Sequence, residues 1–177
     1  MVIRLSTRLW LALVASTALV ANAAAQKKAA PASSSGTMQS DRPLLGPEIG
    51  FATNSFDLFV GGQFAYKVAK DFDIYPSVLI YFPSDASAWS LNANIRWWPK
   101  LNMPNAGLYT GGGLGFTHVS ANNCNVSGCS DTKVGLNLLG GWQFKTSSGL
   151  LPFAELRAIL ASDVDRIEFV GGINFKL

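Results

Sequence analysis

After residue 25 the sequence has no stretch of 18 uninterrupted apolar residues, which excludes a membrane-spanning helix beyond the first 25 positions. Histidine occurs once and cysteine twice. With only His118 near the cysteines, a metal site lacks ligands, and no metal or other cofactor is expected. The whole sequence carries a small basic excess, 14 Lys and Arg against 11 Asp and Glu. Without Arg4 and Arg8 of the first segment, twelve basic residues face eleven acidic ones, and from Leu44 onward nine face ten. The basic character therefore resides in the first 43 residues and gives no reason to propose a nucleic-acid partner. The glycine pairs 61–62, 140–141 and 171–172 and the triplet 111–113 lack the strand-to-helix context of a phosphate loop. They suit curvature and close packing beside large side chains instead.

Residues 1–25 read as a secretory signal. Arg4 and Arg8 supply the positive start, Leu9 to Ala21 the apolar stretch, and Ala21-Asn22-Ala23 or Ala23-Ala24-Ala25 the small-x-small cleavage pattern. Residues 26–43, rich in Ala, Ser, Lys and Pro without apolar periodicity, read as a flexible periplasmic leader. Residues 44–177 form the third segment, with period-2 alternation broken by turn signals at regular intervals. Eight strands are predicted, over 45–53, 56–68, 72–82, 87–97, 106–118, 133–145, 152–160 and 166–177.

Sorting each strand by parity separates two chemically distinct faces. One face, which includes Ile49, Leu58, Ile80, Leu91, Leu136 and Phe169, has no Asp, Glu, Lys or Arg. The other carries twelve charges: Glu48, Asp57, Lys67, Asp73, Arg96, Lys133, Lys145, Glu155, Arg157, Arg166, Glu168 and Lys176. Aromatic residues mark both ends of the apolar face, with Phe51, Phe56, Phe82, Trp89 and Phe116 at one rim. Tyr66, Phe72, Trp97, Trp142, Phe144 and Phe175 mark the other. Ten residues from Phe56 to Tyr66 rise roughly 33 Å. Tilted strands of that length span about 25 Å, the height of an outer-membrane apolar band. A long reach at 119–132 alternates with short connections at 69–71 and 146–151, as loops and periplasmic turns do. Because unpaired backbone is costly in lipid, the sheet must close. The fold class expected is all-β, a closed eight-stranded antiparallel up-and-down transmembrane barrel with a polar lumen filled by side chains. Pro76 cannot donate to a ladder, and a bulge or a strand boundary is expected there.

The pattern resembles the opacity-protein and OmpA-like superfamily of small outer-membrane barrels over residues 45–177. The last strand, Ile167-Glu168-Phe169-Val170-Gly171-Gly172-Ile173-Asn174-Phe175-Lys176-Leu177, resembles the C-terminal signal read by the barrel-assembly machinery, although it ends in Leu177 rather than an aromatic residue. The resemblance implies residence in the bacterial outer membrane among its lipids and lipopolysaccharide. It leaves the surface ligand unnamed.

Four clusters are candidates for function. Inward Arg157 and Glu168 are expected to face each other across a tight turn near Ser162-Asp163, with Glu155 and Arg166 as diagonal neighbours. The network either neutralises the lumen or gates an ion path. Cys124 and Cys129 in the longest loop suggest a disulfide in an exported chain. His118 and Ser120, at the outer rim on the lipid-facing parity, form a His-x-Ser pair similar to that of the lipid A 3-O-deacylases. There serine attacks an ester, histidine is the base, and a Glu orients the histidine. This sequence has no Glu between Glu48 and Glu155, and Asp131 is the acid expected nearby. The preferred reading is a non-enzymatic barrel with a structural or surface-interaction role. The alternatives are a narrow, porin-like pore or hydrophobic-solute conduit, and a lipid A-modifying esterase.

Overall fold

The computed structural model describes residues 39–53, 57–101, 103–121, 130–161 and 165–177. The signal and most of the leader, Phe56, the turn at Ser162-Asp163, and Cys124 with Cys129 lie outside the described residues.

Eight strands follow the chain: β1 (Leu44–Ala52), β2 (Asp57–Ala69), β3 (Phe72–Tyr81), β4 (Ala86–Trp97), β5 (Ala106–Ala121), β6 (Ser130–Phe144), β7 (Leu151–Ala161) and β8 (Arg166–Lys176). Each pairs antiparallel with its sequence neighbours, and β1 pairs with β8 to close an up-and-down barrel. Period-2 alternation forces this geometry, because successive side chains point to opposite sides of the wall. Ile49, Leu58, Ile80, Leu136 and Leu138 are more than half exposed on the outside. Glu48, Asp73, Arg96, Glu155, Arg157 and Glu168 are buried inside. The other five predicted inward charges besides Arg166 sit near the barrel ends or just beyond them.

Two details differ from the sequence reading. β3 runs through Pro76 without a bulge. The β2–β3 pairs skip Phe64 and Ala65 and resume in the same register on both sides, while Pro76 keeps its place opposite Ala93 of β4. The missing donor is absorbed by one interrupted ladder, and the register shift lies instead between Lys67 and Ala69, beside the turn. Also, β5 and β6 extend past the predicted limits of 118 and 133. Ser120 opposite Ser130 and His118 opposite Thr132 continue the ladder, so the connection begins only after Ala121.

The residues just before β1 are held against the barrel. Gln39 donates from Nε2 to the carbonyl of Ala69 at 3.2 Å and accepts from the Asp71 amide at 3.0 Å. Asp71 has φ of 67°, the left-handed conformation that Asp tolerates in a tight turn. Lys67 pairs with Asp41 nearby.

Candidate functional site

Large side chains are buried inside the barrel near the chain termini. Arg96 donates from Nε to Asp73 Oδ1 at 2.8 Å and from Nη2 to Oδ2 at 3.1 Å, and Trp98 Nε1 donates to the same Oδ2 at 2.9 Å. The guanidinium carbon lies 4.4 Å from the Tyr75 ring centre, 5.0 Å from that of Tyr109 and 5.4 Å from that of Trp98. The bidentate geometry and aromatic walls compensate a charge removed from water. Trp98 escapes the sequence reading because it follows the outward Trp97. Its parity, shared with Asn94 and Arg96, was the available signal.

Buried amides form two sets inside the barrel. Asn137 Nδ2 donates to Asn92 at 3.0 Å and to Asn94 at 2.9 Å. Gln63 donates to Asn174 at 2.9 Å, and Asn174 donates to Gln143 at 3.2 Å.

Arg157 draws three carboxylates together. Its Nη2 lies 2.8 Å from Glu155 Oε1 and 3.7 Å from Glu48 Oε2, and its Nη1 lies 3.5 Å from Glu168 Oε2. Tyr75 donates to Glu155 at 2.8 and 2.9 Å, and Tyr81 donates to Glu168 at 2.8 Å. Arg166 Nε lies 2.9 Å from Glu168 Oε1, and its Nη2 donates to Tyr81 at 2.7 Å. Glu155 and Arg166 are not diagonal neighbours as expected. The register sets Glu155 opposite Val170 and Arg166 opposite Ile159, so each finds a different partner. Glu48 and the two tyrosines were not placed in the predicted network, because contacts across a lumen join strands far apart in sequence.

The interior also holds large apolar groups on the inward parity: Phe59, Leu79, Tyr81, Phe153 and Val170 form one cluster. Inward glycines make room for them. A Cβ on Gly50 would approach Phe59 to 2.5 Å, one on Gly172 would approach Phe153 to 2.5 Å, and one on Gly141 would approach the Tyr109 hydroxyl to 2.6 Å.

Above Tyr81 several inward residues are alanine or glycine, and the lumen holds a vestibule of about 440 Å³. Ala52, Ala86, Ala88, Gly135, Ile159 and Ala161 contribute to its walls. Tyr81, Thr117 and Arg166 lie toward its floor, and Asp57, Asp131 and Lys133 complete the charged lining.

On the outside of the same end, His118 Nδ1 and Thr132 Oγ1 are 2.9 Å apart, and the imidazole lies 5.6 Å from the Trp89 ring. Ser120 shares the His118 face two positions on. Asp131, the acid expected near His118, lies on the opposite parity, lines the vestibule, and is 3.7 Å from Lys133. Among the described residues no group of three or more His, Cys, Asp or Glu could hold a metal ion.

No family model matches the sequence. No curated protein matches it either. The fold is that of small eight-stranded transmembrane barrels. The N-terminal β-barrel domain of Pseudomonas aeruginosa OprF superposes with a TM-score of 0.65 at 14% identity, over 78% of this chain and 100% of that one. Neisserial surface protein A gives a TM-score of 0.58 at 16% identity, over 76% and 96%. Ail, the attachment invasion locus protein of Yersinia pestis, gives 0.53 at 14% identity, over 77% and 97%.

Proposed function

We propose that, after removal of residues 1–25, this chain is an integral barrel of the bacterial outer membrane, with a non-enzymatic role in the envelope or at its surface. Such a protein would reach its place through the barrel-assembly machinery and sit among lipids and lipopolysaccharide. The observation that carries the reading is the pairing of an uncharged, exposed apolar exterior with an interior that buries the Arg96 and Arg157 clusters. An apolar exterior suits lipid, and a filled interior suits a structural barrel rather than a channel. Planar-bilayer recording tests it. A sealed barrel gives no conductance steps above background, whereas reproducible steps contradict the sealed-lumen reading.

A narrow pore is the second reading. Glu48 Oε1 and Oε2, Gln63 Oε1, Asn137 Oδ1 and Gln143 Nε2 are buried without a hydrogen-bond partner. Such atoms favour a hydrated interior. The esterase reading has less support. A serine–histidine mechanism needs an acid behind the histidine, whereas the group on His118 Nδ1 is the Thr132 hydroxyl.

A further inference from the structure

We infer that the loop-end vestibule is a binding site for a small, uncharged, apolar molecule drawn from the outer leaflet. Three features point to that ligand class. The first is shape. The inward side chains change from Phe59, Leu79 and Phe153 in the body of the barrel to Ala52, Ala88, Gly135 and Ala161 at its loop end. The resulting space of about 440 Å³ is well above the ~150 Å³ of an apolar cavity that admits benzene, and lies within the range of small-molecule pockets. It is a cup rather than a passage, because the Tyr81–Glu168–Arg166 contacts and the Arg157 cluster lie beneath it.

The second feature is charge. Asp57 and Asp131 balance Lys133 and Arg166 around the lining. Arg166 already lies 2.9 Å from Glu168, and Lys133 lies 3.7 Å from Asp131. An ionic ligand would have to compete with these partners, whereas an uncharged one gains from burial against the alanine walls.

The third feature is access. The β3–β4 ladder ends at Tyr81 opposite Ala88, while Ala86 and Ser87 continue opposite β5 alone. A groove on the outer face beside Ile80, Phe82 and Trp89 shares Tyr81, Pro83, Ala86 and Ala88 with the vestibule. The vestibule wall is therefore also the wall of an apolar surface groove at the aromatic rim.

The site is tested with the mature chain in nanodiscs of deuterated lipid, carrying ¹³C-methyl alanine, with naphthalene as the probe. Intermolecular NOE cross peaks to the methyls of Ala52, Ala88 and Ala161 are expected. Ala161→Trp, at the cup's rim, abolishes those to Ala52 and Ala88. Ala158→Trp, on the outer face of the same strand, leaves them. Unchanged shifts of Ala65 and Ala93 report that each variant is folded, and Ala52→Phe replaces Ala161→Trp if the latter fails this check. Cross peaks confined to the outward methyls of Ala93, Ala154 and Ala158 mean lipid partitioning only and overturn the proposal. So do vestibule cross peaks that survive filling of the cup.

Discussion

Arg157 and Glu168 face each other across the β7–β8 ladder, both fully buried, with Nη1 of the first 3.5 Å from Oε2 of the second. The same guanidinium serves Glu155 and Glu48, so its removal leaves three buried carboxylates without their shared cation. Arg157→Leu is expected to cost about 3–5 kcal/mol, the penalty for stranding buried charge. Lys67→Ala, which breaks an exposed pair at the chain-terminus end, is expected to shift stability far less, because solvent screens that pair. Urea midpoints for refolding into lipid vesicles compare the two. Equal shifts would remove Arg157 from its central place.

The outer face makes a depth-dependent prediction. Leu136 is 57% exposed, midway along its strand. Leu136→Arg is expected to cost about 2–4 kcal/mol in a bilayer. Ser130→Arg, on the same face at the strand's loop end, is expected to cost no more than about 1 kcal/mol. Comparable losses measured by the same refolding experiment would contradict the assignment of the lipid belt. Asn137, one residue from Leu136, is unsuitable as an inward control because it is enclosed and bonded to both Asn92 and Asn94.

Neighbouring glycines should differ sharply. A Cβ on Gly141 would meet Ala154 O at 2.5 Å and the Tyr109 hydroxyl at 2.6 Å, whereas one on Gly140 meets only Tyr109 O at 3.8 Å. Gly141→Ala is therefore expected to destabilise by about 1–3 kcal/mol through overpacking. Gly140→Ala is expected to be tolerated. Thermal loss of the folded gel band separates them.

These contrasts also show what was legible in the sequence. Parity revealed which face each residue takes, because a closed wall buries every second side chain, and strand limits fell within three residues of those observed. Parity carries nothing about contacts across the lumen. Tyr75 and Glu155 meet although 80 residues apart, and the choice of Arg157 rather than Arg166 as the partner of Glu155 follows from three-dimensional position. Phe59 and Phe153 share the inward parity of Asp57 and Glu155, but the room for them was hidden for a related reason. Alternation separates faces, whereas the space left by Gly50 and Gly172 becomes visible only when neighbouring strands are in register.

Gln39 supplies a local prediction at the end of the leader. Its side chain accepts from the Asp71 amide and donates to the Ala69 carbonyl. Gln39→Ala removes bonds worth about 1 kcal/mol each. Exchange of the Asp71 amide in folded protein is expected to accelerate roughly fivefold, with the urea midpoint of the barrel unchanged. An unaltered exchange rate would show that the leader does not secure this turn.

The proposed function requires a barrel whose uncharged face meets lipid. The most direct test is gel migration of the outer-membrane fraction with and without boiling. A band in that fraction whose mobility shifts on boiling is the predicted result, since a closed barrel stays folded in detergent until heated. A soluble periplasmic protein with no shift would contradict it.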